Sequence, residues 1–136
     1  MTAAVYAIVA LELGHPEIAQ ELFDSSYQRF NFPPYGTWTE KADGAGNIPY
    51  LTSGSGFLQS VVYGFGGLRA LNNTLRIAPQ LPAGVTRVAF RRLAYCGAHV
   101  DVVYNATVAT LTHIDGPELD MPHSFATGTE VHITCT

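Results

Sequence analysis

The apolar residues of this chain change period once, near residue 70, and that change constrains the fold more than any other feature. Before it they recur at helical spacing; after it they alternate, as on a strand. Thr2 to Leu13 is Ala-rich and carries Val5, Ile8, Val9 and Leu11. Its apolar residues lie all round, which predicts a helix buried on most sides. Gly14 can end that helix, and Pro16 with Glu17 starts a second one running to Arg29. Ile18, Ala19, Leu22, Phe23, Ser26 and Phe30 form its inner stripe, so the pair reads as an αα-hairpin. A third helix is expected from Phe57 to Leu68. Strands are expected at Thr74–Ala78, Val85–Tyr95, Ala98–Tyr104, Thr107–His113 and Val131–Cys135, with turns filling 114–127. Val88 and Phe90 should share one strand face, and Arg87 and Arg91 the other. The fold class is therefore α+β: helices first, then a small antiparallel, sandwich-like β module. The boundary falls between Arg69 and Asn73, giving domains 1–70 and 71–136.

Between the second and third helices, Asn31 to Gly56 has no periodic segment. It holds Pro33, Pro34, Gly36, Gly44, Gly46, Pro49 and Gly54. A loop this long in a compact domain is usually functional or disordered. Phe32, Tyr35, Trp38 and Tyr50 argue for packing, because disordered segments are poor in aromatics.

Charge narrows the function classes. Only 13% of residues are charged, about half the usual share of ~25%. A small free-standing domain normally covers its surface with charge, so the shortage points to a surface covered by more protein; a Thr/Ser/Asn-rich β surface would explain it equally well. The net charge of −4 offers no basic face for a nucleic-acid backbone. No apolar run is long enough to suggest a membrane span. The first apolar run lacks the positive flank of a signal peptide, so no signal peptide is read in this chain. Cys96 and Cys135 are either a bridge or two buried thiols, and neither has metal-ligand spacing. Asn72-Asn73-Thr74 and Asn105-Ala106-Thr107 are N-glycosylation triplets, which favour a secreted, vacuolar or luminal protein. No cofactor or metal is expected.

The chemistry concentrates on Glu40. An extended Gly36-Thr37-Trp38-Thr39-Glu40 would place Trp38 and Glu40 on one side. Sugar rings stack on indole, and a carboxylate beside them can activate water. Inverting glycoside hydrolysis uses such a base opposite a protonated acid. Read from the residues alone, the plainer reading of Glu40 is a surface carboxylate paired with Lys41 or Arg29, and Asp43 competes for its role. Gly54-Ser55-Gly56 opens a helix and could hold an anion through backbone N–H groups, but it lacks the Lys of a nucleotide-binding loop. The five histidines show no ligand spacing.

Three stretches carry a family resemblance: Thr37-Trp38-Thr39-Glu40; Gly44 through Gln59, with Thr52-Ser53-Gly54-Ser55-Gly56 at its centre; and Tyr63-Gly64-Phe65-Gly66-Gly67-Leu68-Arg69. Together they resemble the last helices of glycoside hydrolase family 65, in its hydrolase branch of acid trehalases and glucosylgalactosyl-hydroxylysine glucosidases. The resemblance covers residues 1 to 112. Ile48-Pro49-Tyr50 departs from the commoner single Phe, and Ser55 replaces a Gly. The resemblance implies the end of an α/α toroid of six helical hairpins, an α-linked glucoside substrate, inversion and no metal. It gives Glu40 the place of the general base, with Trp38, Thr52 and Gly54 at the substrate. In related phosphorylases that place passes to phosphate. The general acid lies upstream in this family, so the resemblance implies a missing N-terminal part of the enzyme and an inactive chain by itself. The readings that follow are an inverting α-glucoside hydrolase, a phosphorylase of the same family, or a non-catalytic carbohydrate-binding or interaction module.

Overall fold

The computed structural model describes residues 2–135, which form three α-helices and antiparallel sheets in two compact units, one up to Gly64 and one from Phe65 onward. The class is mixed α+β. Among the described residues no helix is long and apolar enough to cross a membrane.

The first unit opens with α1 (Thr2–Glu12) and α2 (Pro16–Gln28). Gly14 takes φ +77° just past α1 and lets the chain fold back. Its N–H donates to Leu11 O at 3.1 Å, and His15 N–H donates to Ala10 O at 2.9 Å. These bonds satisfy carbonyls that every helix end leaves open. Pro16 then sits in the first turn of α2, where its missing N–H costs nothing.

The burial of α1 corrects the expectation of a helix covered on most sides. Ala4, Ala7, Ala10 and Leu11 are buried, but Val5, Tyr6, Val9 and Leu13 are exposed. Within this unit α1 packs mainly on α2 and α3, with Gly64 against Leu11 and Ile8. Small Ala side chains let those helices approach one face, and the described residues leave the other uncovered. On α2, Ala19, Phe23 and Ser26 are buried, while Ile18 at the edge of the expected stripe is exposed.

Helix α3 (Leu51–Gln59) begins six residues before the expected Phe57 and continues into a π-helical turn over Ser60–Phe65. Thr52 to Gly56 contains residues of poor helix propensity, which hid this start. Tertiary packing decides it: Ser53 and Gly56 are buried, and Gly54 lies against the Trp38 indole. Gly64 closes the unit, where an added Cβ would stand 3.1 Å from Leu11 Cδ1.

The second unit is all β. One sheet has the order β3 (Arg69–Leu71), β4 (Thr74–Ile77), β10 (Val131–Cys135), β8 (Leu119–Asp120). The other has the order β5 (Arg87–Tyr95), β6 (Ala98–Asn105), β7 (Val108–Asp115), β9 (Ser124–Ala126). β3, β8 and β9 went unread because two or three residues cannot show alternation; segment 114–127 holds two of them, not turns alone. The buried side chains Leu75, Ile77 and Ile133 come from the first sheet, and Val100, Val102, Tyr104, Ala109 and Leu111 from the second.

Alternation on β5 holds until a bulge between Phe90 and Leu93. There Arg92 adopts φ +52°, and Arg91 and Arg92 are both exposed. Asp101, buried on the neighbouring strand, binds the bulge by accepting the Arg92 N–H at 2.8 Å and the Arg91 guanidinium. Cys96 in the β5–β6 turn and Cys135 on β10 are disulfide-bonded with Cα atoms 6.1 Å apart, joining the two sheets. Both are exposed, so the bridge is the correct reading, not two buried thiols.

Candidate active site

The site begins with a two-residue hairpin. β1 (Asn31–Phe32) and β2 (Thr37–Trp38) pair antiparallel, Asn31 opposite Trp38. Asn31 Nδ2 donates to Gly36 O at 2.7 Å and closes the turn. Two bonds tie the end of β2 into the unit: Tyr50 N–H to Trp38 O at 2.8 Å, and Thr39 N–H to Phe30 O at 2.9 Å. Thr39 points inward, 2% exposed, with its hydroxyl donating to Lys41 O at 2.8 Å. Its successor Glu40 is thereby turned outward and is exposed.

A second turn returns the chain to Glu40. Gly44 N–H donates to Lys41 O, and Lys41 N–H to Ala45 O. Asp43 Oδ1 accepts the Ala45 N–H at 2.9 Å, so that carboxylate serves its own loop. Gly46, at φ +86°, then brings Asn47 over the Glu40 carboxylate. Glu40 Oε2 accepts both the Asn47 N–H at 3.1 Å and Asn47 Nδ2–H at 2.9 Å. Only Gly fits at 46: an added Cβ would lie 2.8 Å from Glu40 Oε2 and 2.9 Å from Glu40 Cβ. Among the described residues no donor reaches Oε1, and no Lys or Arg pairs with Glu40, so neither Lys41 nor Arg29 is its partner. One oxygen is held, and the other accepts no hydrogen bond from the described residues.

Trp38 is anchored separately. Its ring lies 5.5 Å from that of Phe57, tilted by 43°. Phe57 stacks in turn on Phe23 at 5.3 Å, and Tyr27 meets it edge-on at 5.5 Å. Gly54 lets α3 pass under the indole, since a Cβ there would lie 3.3 Å from Trp38 Cδ1. Beside the indole opens a pocket of about 460 Å³, lined by Trp38, Pro49, Leu51, Gly54, Ser55, Phe57 and Leu58. That volume suits a small ligand. Its wall is mostly apolar, and the Ser55 hydroxyl is turned to Leu51 O at 2.9 Å.

Trp38 and Gly54 thus meet in one pocket. Thr52 is exposed in the first turn of α3 and does not line it, and neither does Glu40. The residues missed in the sequence are Asn47, which holds Glu40, and the pocket walls Pro49, Leu51 and Phe57. The pair Gly46-Asn47 carried a signal, because Gly before a side-chain donor can reverse the chain tightly enough to reach a nearby carboxylate. Among the described residues no three His, Cys, Asp or Glu side chains gather as a metal set.

Residues 68–124 match the C-terminal domain of glycosyl hydrolase family 65. The protein-glucosylgalactosylhydroxylysine glucosidase of Danio rerio is 36% identical over 101 residues, covering 74% of this chain and 15% of that protein. Its counterpart in Dictyostelium discoideum is 36% identical over 110 residues, covering 81% of this chain and 15% of that protein. A solved structure from the human microbiome, assigned as a kojibiose phosphorylase, superposes with a TM-score of 0.68 at 18% identity. That superposition covers 97% of this chain and 18% of the other, and it establishes likeness of fold. The chain spans about 15% of the length of the curated relatives it matches. On these matches the chain belongs to glycosyl hydrolase family 65 and carries its C-terminal domain.

Proposed function

We propose that this chain is the C-terminal part of an inverting α-glucoside hydrolase, with Glu40 as the general base. One observation carries the reading: Glu40 is fixed through Oε2 by both donors of Asn47, while Oε1 takes no hydrogen bond from the described residues. Two donors from one residue fix the orientation of this carboxylate, which supports a positioned group over a freely rotating surface charge. In the reaction Oε1 accepts a proton from water as that water attacks the anomeric carbon. A second carboxyl on the opposite side protonates the leaving oxygen, and the configuration inverts. Trp38, with Gly54 beneath it, offers the sugar a ring face; Thr52 offers a hydroxyl at the start of α3.

The acid is not among the groups gathered around Glu40. Asp43, the other carboxylate of the loop, is occupied by Ala45. We place the acid in a preceding N-terminal part, and α1, α2 and α3 at the end of a six-hairpin α/α toroid. The exposed Val5, Tyr6, Val9 and Leu13 support this, because such a face gains stability when more helix covers it. The 136-residue chain by itself is then inactive. The similarity to glucosylgalactosylhydroxylysine glucosidases favours that type of substrate over trehalose.

The test is Glu40→Gln in the full-length protein. The amide keeps the shape but cannot take the proton. Turnover should fall by on the order of 10²–10⁴-fold with KM little changed. NMR of the first product should show inverted glucose from water attack. A Glu40→Gln protein of undiminished turnover would overturn the role and favour a non-catalytic carbohydrate-binding or interaction module. Release of glucose 1-phosphate only in the presence of phosphate would identify a phosphorylase instead, the reading raised by the structural neighbour.

A further inference from the structure

The proposed function leaves the β unit without a task, yet that unit carries both N-glycosylation triplets and the disulfide. We propose that Asn105 is an N-glycan acceptor and that the chain matures in an oxidising, glycosylating compartment. Two observations of different kinds converge on this.

The first is the β6–β7 turn. Asn105, Ala106 and Thr107 are all exposed. Asn105 Oδ1 accepts three donors: Thr107 N–H at 2.9 Å, the Thr107 hydroxyl at 3.0 Å and Val108 N–H at 3.0 Å. The backbone carbonyl of Asn105 accepts the Thr127 hydroxyl at 2.8 Å. All four of these bonds use an oxygen of Asn105. Among the described residues none uses Nδ2, the atom that would carry a glycan. Replacing one Nδ2 hydrogen by a sugar leaves the turn intact and directs the glycan to solvent. The other triplet is less open. Asn72 and Asn73 are exposed in a hairpin turn at φ +47° and +62°, but Thr74 is half-buried and stands opposite Thr134 within the sheet.

The second observation is the Cys96–Cys135 bridge between two exposed residues. Exposed bridges persist where thiols are kept oxidised and are rare where they are kept reduced. Nothing in the turn depends on that bridge, so the two features point independently to one kind of compartment.

The transfer balances simply. Asn105 Nδ2 forms a bond to the anomeric carbon of a lipid-linked oligosaccharide diphosphate. The bond from that carbon to the diphosphate oxygen breaks, one Nδ2 proton is lost, and the lipid diphosphate leaves as the anion. No redox partner is needed.

The experiment is peptide mapping of the full-length protein purified from its natural host. After treatment with peptide N-glycosidase in heavy-oxygen water, the Asn105 peptide should appear as heavy-oxygen-labelled Asp. Before treatment it should be missing at its unmodified mass. Thr107→Ala, re-expressed in the same host, should lose the glycan, and Thr107→Ser should keep it while preserving the hydroxyl. Should the Ala variant fail to accumulate, the native peptide map and the Ser variant still decide. Recovery of unmodified Asn105 as the main species in the mature protein overturns the inference. These outcomes do not depend on the role of Glu40.

Discussion

Replacing Gly46 by Ala separates a held Glu40 from one that merely lies nearby, provided it is compared with Gly44→Ala. The two glycines stand at φ +86° and +82°, so both Ala variants meet the same left-handed backbone penalty. That penalty is about 1–2 kcal/mol. Their surroundings differ. At Gly44 the new Cβ would lie 3.6 Å from the Phe32 ring, an ordinary contact. At Gly46 it would lie 2.8 Å from Glu40 Oε2 and 2.9 Å from Glu40 Cβ, whereas ordinary contact begins at 3.4 Å. Glu40 must therefore withdraw by about half an ångström or more, stretching the bonds of 3.1 and 2.9 Å from Asn47. A misplacement of ~1 Å at a reacting group can cost ~10²-fold in rate. We expect both variants to lose about 1–2 kcal/mol of stability in urea unfolding. Only Gly46→Ala should also lose roughly 10- to 100-fold in kcat on an α-glucoside, measured in the full-length protein. Equal turnover in the two variants would refute the claim that this turn positions the base.

Further outcomes follow from the β unit. Cys96→Ser should lower its stability by about 4 kcal/mol, the chain-entropy value for a bridge spanning 39 residues; denaturant midpoints that do not change on reduction of the native protein would contradict this. Tyr104→Phe should cost only about 0.5–1.5 kcal/mol, because Phe65 O loses the phenol at 3.2 Å but keeps Gln80 N–H at 2.7 Å. Burial pushes the Tyr104 phenol well above its ordinary range, so this bond should survive alkaline titration. The Arg92 N–H, and after it the Arg91 guanidinium, hold Asp101 below its ordinary 3.8; bonds from His99 and Arg92 do the same for Asp115. Depressed carboxylates stabilise the fold above 3.8 and lose that contribution as pH falls through their folded-state values. The urea midpoint should therefore drop below that pH, and Asp101→Asn should flatten the drop; an unchanged acid limb in the variant would remove Asp101 from the account.

Long elements were legible because their periods repeat. The α1–α2 hairpin, with Gly14 and Pro16 at its corner, and the strands β5, β6 and β7 follow from spacing and turn chemistry. The strand expected at Ala98–Tyr104 is present, and Val100, Val102 and Tyr104 on one of its faces are buried. What failed to show was either short or tertiary. β8 has two residues and β9 three, so pairing partners decide them. The first turns of α3 read as a loop because their Gly and Ser disfavour helix in isolation; the indole against Gly54 and the burial of Ser53 and Gly56 reverse that preference. α1 misled in the other direction, since apolar composition tells what a helix would gain by burial, not what is there to bury it.

Glu40 shows the same limit at the level of chemistry. The sequence offers the carboxylate, the indole and the glycines, but by itself it reads more plainly as a charge paired with Lys41 or Arg29. Geometry separates these readings because they use the carboxylate differently. An ion pair on the surface would gather cations around both oxygens and would be worth little. Here two neutral donors from one residue take one oxygen, and the turn that delivers them passes through a glycine that no larger residue can replace without moving Glu40. The apolar pocket beside Trp38 excludes Glu40 from its lining. A base that acts through an intervening water need not line the pocket that seats the ring, so its absence from the wall does not count against the proposed role.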